Sequence, residues 1–139
     1  MIDRIEYGGK VFALILRAGY IQGGVNFITS KSEPIQLGVL NHKCGTKIKP
    51  HTHKNRAITI SEIQEVLHVD YGKVEAIFYE SDGKEVAATI LNSGDTILLL
   101  CGGHGLNILE DTKIIEVKQG PYFGVEEDKV ILNTNRGEQ

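Results

Sequence analysis

The sequence has no tryptophan, only three prolines and only two cysteines among its 139 residues. Its uninterrupted apolar runs, such as Ile97 to Cys101, are far shorter than the roughly 18 residues that a membrane-spanning helix needs. Charged side chains at Asp3, Arg4 and Glu6 occupy the stretch where a secretory signal would be apolar. These absences predict a soluble cytoplasmic protein with no membrane partner and no Pro-rich linker.

The charge balance also excludes a class of partner. Lys and Arg number 15 and Asp and Glu number 18, which gives a net charge of −3. A chain with this charge has no general positive field to attract phosphates, so we expect no nucleic-acid partner. The most basic run, His42 to Arg56, is soon followed by Glu62 and Glu65 and is interpreted as a solvated face.

The two cysteines, Cys44 and Cys101, are far apart and form no CxxC motif. Reduced thiols are therefore expected in a cytoplasmic protein. A nucleophilic Cys101 near His104 is one alternative. However, Cys101 ends an apolar strand-like run, where an inert buried thiol is the commoner outcome.

What the chain does contain is glycine, 16 residues in all, and many short β-prone runs separated by turn residues. No window of ten or more residues has a helical pattern, and the Ile-Thr-Ile centre of 57–64 favours strand over helix. We therefore predict one all-β domain over residues 1–139, a sandwich or barrel with a polar tail at 131–139. The predicted strands are 10–17, 25–29, 35–40, 65–71, 74–80, 85–91, 95–100, 106–109 and 113–118.

Two histidines, His51 and His53, are separated by a single residue. In an extended chain alternate side chains share a face, so both imidazoles would point the same way. Such a pair alone is more often incidental than a metal site. Its surroundings matter more, because Gly45 precedes the pair by six positions and Glu65 precedes Gly72 by seven.

A third histidine, His104, follows a Gly102-Gly103 pair that would let the backbone bend toward a site. The pattern Gly45-x5-His51-x-His53 followed by Glu65-x6-Gly72 resembles the first motif of the cupin superfamily. Residues Gly94 through His104 and Asn107 resemble its second motif. The two motifs cover about 45–72 and 94–107.

The resemblance implies a single cupin-type β-barrel, also called a double-stranded β-helix or jelly roll. It further implies one divalent metal ion inside that barrel, held by His51, His53, Glu65 and His104. Three imidazoles and a carboxylate suit Fe, Mn, Zn, Ni or Co. Such a set leaves coordination positions open, as a catalytic site requires.

The identity of the carboxylate ligand has an alternative. Eleven residues (54–64) separate His53 from Glu65, and Glu62 lies closer to the histidines. We favour Glu65 because its offset to Gly72 fits the motif. Glu65 also shares strand parity with the apolar Leu67, whereas Glu62 lies on the opposite parity.

Three further residues are predicted to line a substrate pocket: Arg56, Asn107 and Tyr122. The excursion at 54–62 would lie at the mouth of the barrel and bring Arg56 to its entrance, although a plain surface loop is an equal alternative. Tyr122 follows the strand at 113–118, and a core or surface tyrosine is its default interpretation. The remaining histidines, His42 and His68, are expected to have no functional role.

The sequence is similar to small cupins associated with sugar and polysaccharide metabolism. That similarity implies a metal-dependent enzyme acting on a small polar substrate such as a sugar or sugar phosphate, by isomerase or oxygenase chemistry. It also implies a homodimer formed through edge strands. The alternative is a non-catalytic module that binds a small ligand and holds a structural metal. An acid–base isomerase without metal would leave the four proposed ligands unexplained.

Overall fold

The computed structural model describes residues 1–134. They form ten short strands and a single turn of helix, which confirms the all-β prediction. The elements in chain order are β1 (Ile2–Tyr7), β2 (Lys10–Leu16), β3 (Gly24–Phe27), β4 (Gly38–Asn41), β5 (Glu65–Tyr71), β6 (Lys73–Tyr79), β7 (Glu85–Asn92), β8 (Thr96–Leu99), β9 (Gly103–Ile108), β10 (Lys113–Lys118) and α1 (Val125–Asp128).

The largest sheet has five antiparallel strands in the order β1-β2-β8-β5-β10. Side chains alternate along each strand, so the sheet has two distinct faces. Ile15 of β2, Leu67 of β5 and Ile97 of β8 are register neighbours on one face, and all three are buried. This face supplies most of the main hydrophobic core.

The second sheet has three antiparallel strands in the order β7-β6-β9 and covers that face. Its Val74, Ala76 and Phe78 are almost fully buried and join the same core cluster as Ile15 and Ile97. The two sheets therefore enclose one core. The candidate site lies where the start of β5, in the large sheet, comes close to the start of β9, in the second sheet.

The opposite face of the five-stranded sheet carries a smaller cluster built on Leu14, Leu98 and Leu100. It is covered by residues near the two-stranded β3–β4 sheet, including Ile28 and Leu37. None of the three sheets closes into a barrel among residues 1–134.

Each of the nine predicted strands overlaps an observed strand, and β5 and β10 begin and end where predicted. The sequence prediction omitted β1, which pairs with β2 at the edge of the large sheet. The strand expected within 57–64 is wrong, because residues 42–64 contain no helix or strand. Ile58 and Ile60 are exposed there, so burial of these side chains does not hold the segment as a strand. Of the predicted polar tail, 135–139 lies outside the described residues.

No helix in the described part of the chain is both long and apolar enough to cross a membrane.

Candidate functional site

The carboxylate of Glu65 lies at the first position of β5, in register with Leu99 of β8 and Lys118 of β10. It shares strand parity with the buried Leu67, so its side chain projects toward the second sheet. Its side chain is 15% exposed. Glu65 thus lies on the same face as Leu67, as its strand parity predicted, whereas Ile63 of the same parity is exposed.

The imidazole of His104 comes from the other sheet. His104 lies on β9 opposite the buried Phe78, and therefore on the inner face. Gly102 precedes β9 with φ of 75°, and a Cβ there would overlap the ring of Phe12. The turn into β9 thus depends on glycine, and it directs His104 toward Glu65.

The two side chains meet, with His104 Nε2 at 3.2 Å from Glu65 Oε2. Hydrogen bonding to His104 lowers the pKa of Glu65, and this exceeds the opposing effect of burial. The charges of Lys118 and Lys129 lower that pKa further. Glu65 is therefore ionised near neutral pH and acts as an acceptor.

Lys118 extends this pair into a small network. Its Nζ lies 3.8 Å from Glu65 Oε1 and 2.9 Å from Glu116 Oε1. The same ammonium lies 5.2 Å from the centre of the Tyr122 ring. The pKa of Lys118 is raised, chiefly by its hydrogen bond to Glu116, so it remains protonated and is a fixed positive charge.

A cavity of about 550 Å³ is lined by Glu65, His104, Lys118 and Tyr122. We call it the dyad cavity, after the pair formed by Glu65 and His104. Its volume is within the range of small-molecule sites, roughly 300–1,000 Å³. The C-terminal segment after β10, including Lys129 and Leu132, forms its far wall. The side chains that matter for its chemistry are Glu65, His104, Lys118, Gln119, Tyr122 and Lys129.

The wall beside Glu65 is held by two glutamines. Gln64 is 4% exposed, and its backbone N–H donates to Gln119 Oε1 at 2.8 Å. The Gln64 side chain donates to Glu33 Oε2 at 2.8 Å and accepts from the Ile35 N–H at 3.3 Å. Gln119 Nε2 is buried and has no hydrogen-bond partner within residues 1–134.

Two of the four predicted metal ligands are not gathered with the others. His51 and His53 are exposed on the irregular segment 42–64, with their ring centres 5.4 Å apart. They do not line the dyad cavity. Nowhere in residues 1–134 do three or more His, Cys, Asp or Glu side chains form a group able to hold a metal ion. The structure thus brings Glu65 and His104 together. His51 and His53 lie next to each other on the segment 42–64, away from the dyad cavity.

The alternative carboxylate and the first predicted pocket residue lie in a different place. Glu62 and Arg56 line a second cavity of about 870 Å³, on the side of Gln64 and Cys101. Glu65 is therefore the carboxylate that accompanies His104. Cys101 is a free thiol that donates to the Val11 carbonyl, and burial raises its pKa, so its environment does not activate a nucleophile.

The other two predicted pocket residues are divided. Tyr122 lines the dyad cavity, as expected. Asn107 lies on β9 three residues after His104, hence on the outer face, and its Nδ2 donates to Glu75 Oε2 at 2.8 Å. The sequence analysis missed Lys118 and Gln119. A signal was present, because the segment 118–122 combines a cation, an amide and an aromatic ring directly after a strand.

No family model, no curated protein and no solved structure matches this chain.

Proposed function

We propose that the protein binds a small polar molecule, such as a sugar or sugar phosphate, in the dyad cavity and that Glu65 and His104 act on it. One observation carries the proposal. An ionised carboxylate and an imidazole, supplied by two different sheets, meet at 3.2 Å inside a cavity of small-molecule size. Polar groups that converge in such a cavity are typical of binding and catalytic sites.

The pair suits isomerase chemistry. Isomerisation of a carbonyl compound moves a proton between neighbouring positions, and it needs one group that accepts the proton and one that donates it. The carboxylate of Glu65 is ionised, because hydrogen bonding to His104 lowers its pKa, and an ionised carboxylate can take up the proton. His104 is the donor to the developing oxyanion. Lys118 keeps a positive charge 3.8 Å from Glu65 without taking part in the transfer.

Deuterium incorporation tests this proposal. Aldoses and ketoses, each with and without a phosphate, are incubated with the protein in D₂O, and ¹H NMR follows exchange next to the carbonyl. Removing a general base lowers such rates by about 10²–10⁴-fold, so Glu65→Gln should abolish exchange. Glu62→Gln is the matched control and should exchange normally. Binding without exchange would favour the non-catalytic module, and a panel in which nothing binds would refute the proposal.

A divalent metal is the second candidate for this site. Ligand atoms at about 2.1 Å from one ion lie roughly 3.0–3.4 Å apart in octahedral or tetrahedral geometry. The separation of 3.2 Å between Glu65 Oε2 and His104 Nε2 fits two ligands of one ion. A bound ion would polarise a carbonyl or hydroxyl of the substrate. We propose His51 and His53 as the remaining ligands, with Fe, Mn, Zn, Ni or Co as the ion.

These two histidines would have to approach the cavity. β9, which carries His104, is an edge strand with one unpaired side among the described residues. The segment around His51 has no strand partner of its own. If it pairs along β9, both imidazoles of the His-x-His pair can face inward beside His104. The two larger sheets would then be halves of a cupin-type barrel.

Metal content tests this second candidate. Purified protein is equilibrated with Zn²⁺ or Ni²⁺, and bound metal is measured by elemental analysis. The double variant of His51→Ala and His53→Ala should lose most of the bound metal, as should His104→Ala. His42→Ala, in the same segment, is the matched control and should bind normally. Equal metal content in all variants would refute the candidate and leave the acid–base proposal standing.

A further inference from the structure

The orientation of the Gln119 side chain is fixed by its neighbours. An amide nitrogen and oxygen look alike, and the hydrogen-bond network decides between them. Here the backbone N–H of Gln64 donates to one atom of the Gln119 amide at 2.8 Å, so that atom must be the oxygen. The other atom, Nε2, is consequently the nitrogen.

That nitrogen is unusual because it is buried and has no hydrogen-bond partner within residues 1–134. Native proteins nearly always satisfy such groups, because a buried donor without a partner destabilises the folded state. The remainder of this network is satisfied, since both polar atoms of the Gln64 side chain have partners. Gln119 also lines the dyad cavity.

We propose that the Gln119 amide determines ligand specificity by donating Nε2–H to an oxygen of the ligand bound in the dyad cavity. The inference rests on the proposed function, because it assumes that this cavity binds a small polar molecule. A ligand hydroxyl group would suit this donor, because a hydroxyl oxygen accepts a hydrogen bond and its O–H can donate to a carboxylate such as that of Glu65. Both groups lie at the same end of the β5–β10 pair, where Lys118 is in register with Glu65.

The charges of the cavity favour a neutral ligand. Its lining carries two carboxylates, Glu65 and Asp128, and two ammonium groups, Lys118 and Lys129. Lys118 is further compensated by Glu116 at 2.9 Å. No surplus positive charge remains for a phosphate, and the free donor is an uncharged amide. The ligand class is therefore a neutral polyhydroxy or carbonyl compound, such as an unphosphorylated sugar.

The test uses NMR titration of the full-length, uniformly ¹⁵N-labelled protein. The probes are D-glucose, D-ribose and D-fructose, with glucose 6-phosphate, ribose 5-phosphate and fructose 6-phosphate as their charged counterparts. The ring signals of His104 report binding in the cavity, and the side-chain NH₂ signals of Gln119 report the proposed hydrogen bond. At least one neutral sugar should shift both sets, with a lower Kd than its phosphate.

Two variants separate the inference from the proposed function. Gln119→Glu keeps an oxygen for the Gln64 N–H but removes the donor, and should raise the Kd by about tenfold. Gln22→Glu makes the same change at an exposed position and should leave the Kd unchanged. If Gln119→Glu does not fold, the NH₂ signals of the wild-type protein decide the question.

Each outcome has one meaning. Shifts at His104 without shifts at Gln119, together with an unchanged Kd in Gln119→Glu, would overturn this inference and leave the proposed function intact. Tighter binding of the phosphates would overturn the neutral-ligand assignment. No shift at either residue with any probe would overturn both proposals.

Discussion

Two carboxylates lie at opposite ends of the same central strand, β8, and their surroundings differ in kind. Asp95, just before β8, accepts from the backbone N–H groups of Ala18 and Asn92 at 2.9 Å and from Arg17 Nη1 at 2.8 Å. Within residues 1–134 the carboxylate of Glu65, beside the far end of β8, has only the imidazole of His104 at 3.2 Å and the ammonium group of Lys118 at 3.8 Å as partners.

The difference distinguishes a structural carboxylate from a site carboxylate. Asp95 is 4% exposed, and three donors occupy its two oxygens. Arg17 also donates to Asp3 Oδ2 at 2.7 Å and to the Ile90 carbonyl at 2.7 Å, so this end of the sheet is fully bonded. The Glu65 end borders the dyad cavity, and Gln119 Nε2 at that end has no hydrogen-bond partner within residues 1–134. A donor or acceptor that has no protein partner and lies next to a cavity can form a hydrogen bond with a ligand.

The largest expected effect on stability is at Asp95, at the end of β8 where the carboxylate has three hydrogen-bond donors. Asp95→Ala leaves Arg17 and two backbone N–H groups without their acceptor, so the free energy of unfolding should fall by about 3 kcal/mol. Urea denaturation followed by circular dichroism measures it. Asp111→Ala, an exposed turn carboxylate, is the control and should change stability by less than about 0.5 kcal/mol. A loss below about 1 kcal/mol at Asp95 would remove the distinction drawn above.

The next effect concerns the turn that aims His104. Gly102→Ala puts a side chain at φ of 75° and against the Phe12 ring, so unfolding should become easier by about 2 kcal/mol. Gly45→Ala is a matched control, because Gly45 has φ of 84° with nothing near its missing Cβ. It should show only the backbone strain, about 1 kcal/mol. Equal losses in the two variants would mean that the Phe12 contact does not constrain the site.

A smaller effect should appear in the pH dependence of stability. Burial raises the pKa of Asp95, but hydrogen bonds from Asn92, Ala18 and Arg17 outweigh it and hold that pKa below 3.8. A carboxyl with a lowered folded-state pKa stabilises the protein above its unfolded pKa, and this stability is lost as the pH falls through the folded pKa. The melting temperature should therefore fall on acidification below about pH 4. Asp95→Asn should flatten that fall, and an unchanged slope would contradict the assignment.

The smallest effect on stability is expected at Glu65. Glu65→Gln keeps the shape of the side chain and removes one partly exposed ion pair, so unfolding should change by about 1 kcal/mol or less. Its binding and exchange activity should nevertheless be lost. Thermal denaturation alongside the exchange assay separates the two. A loss of stability comparable to that of Asp95→Ala would show that Glu65 is a structural residue.

The strands were predictable because their signal is local. Alternation of apolar and polar residues over β5 fixed both its bounds and the side of the sheet on which Glu65 projects. The omission of β1 has a physical reason as well. Its residues are mostly exposed at the sheet edge, so its sequence, Ile-Asp-Arg-Ile-Glu-Tyr, is too polar to stand out. The segment 57–64 shows the opposite error, a β-prone sequence that forms no strand. Its apolar residues have no partner strand, so the backbone there stays irregular.

The candidate site was only half predictable. Residue type and spacing identified Glu65, His104 and Tyr122, all of which line one cavity. Spacing also grouped His51 and His53 with these residues. However, their segment, 42–64, forms no strand that would hold the two imidazoles at the dyad cavity. The metal ion, the dimer and the reaction stay predictions.

The sequence by itself determined the β class, the approximate positions of most strands and the side of the sheet on which the key carboxylate projects, because these follow from the two-residue period of a strand. Only the tertiary structure decided that Glu65 and His104, from different sheets, share a cavity with Lys118 and Gln119. Such contacts depend on how the two sheets stack and where β10 ends, and no local pattern encodes them. That Gln119 Nε2 has no partner within residues 1–134 likewise becomes visible only when every neighbouring donor and acceptor has been placed.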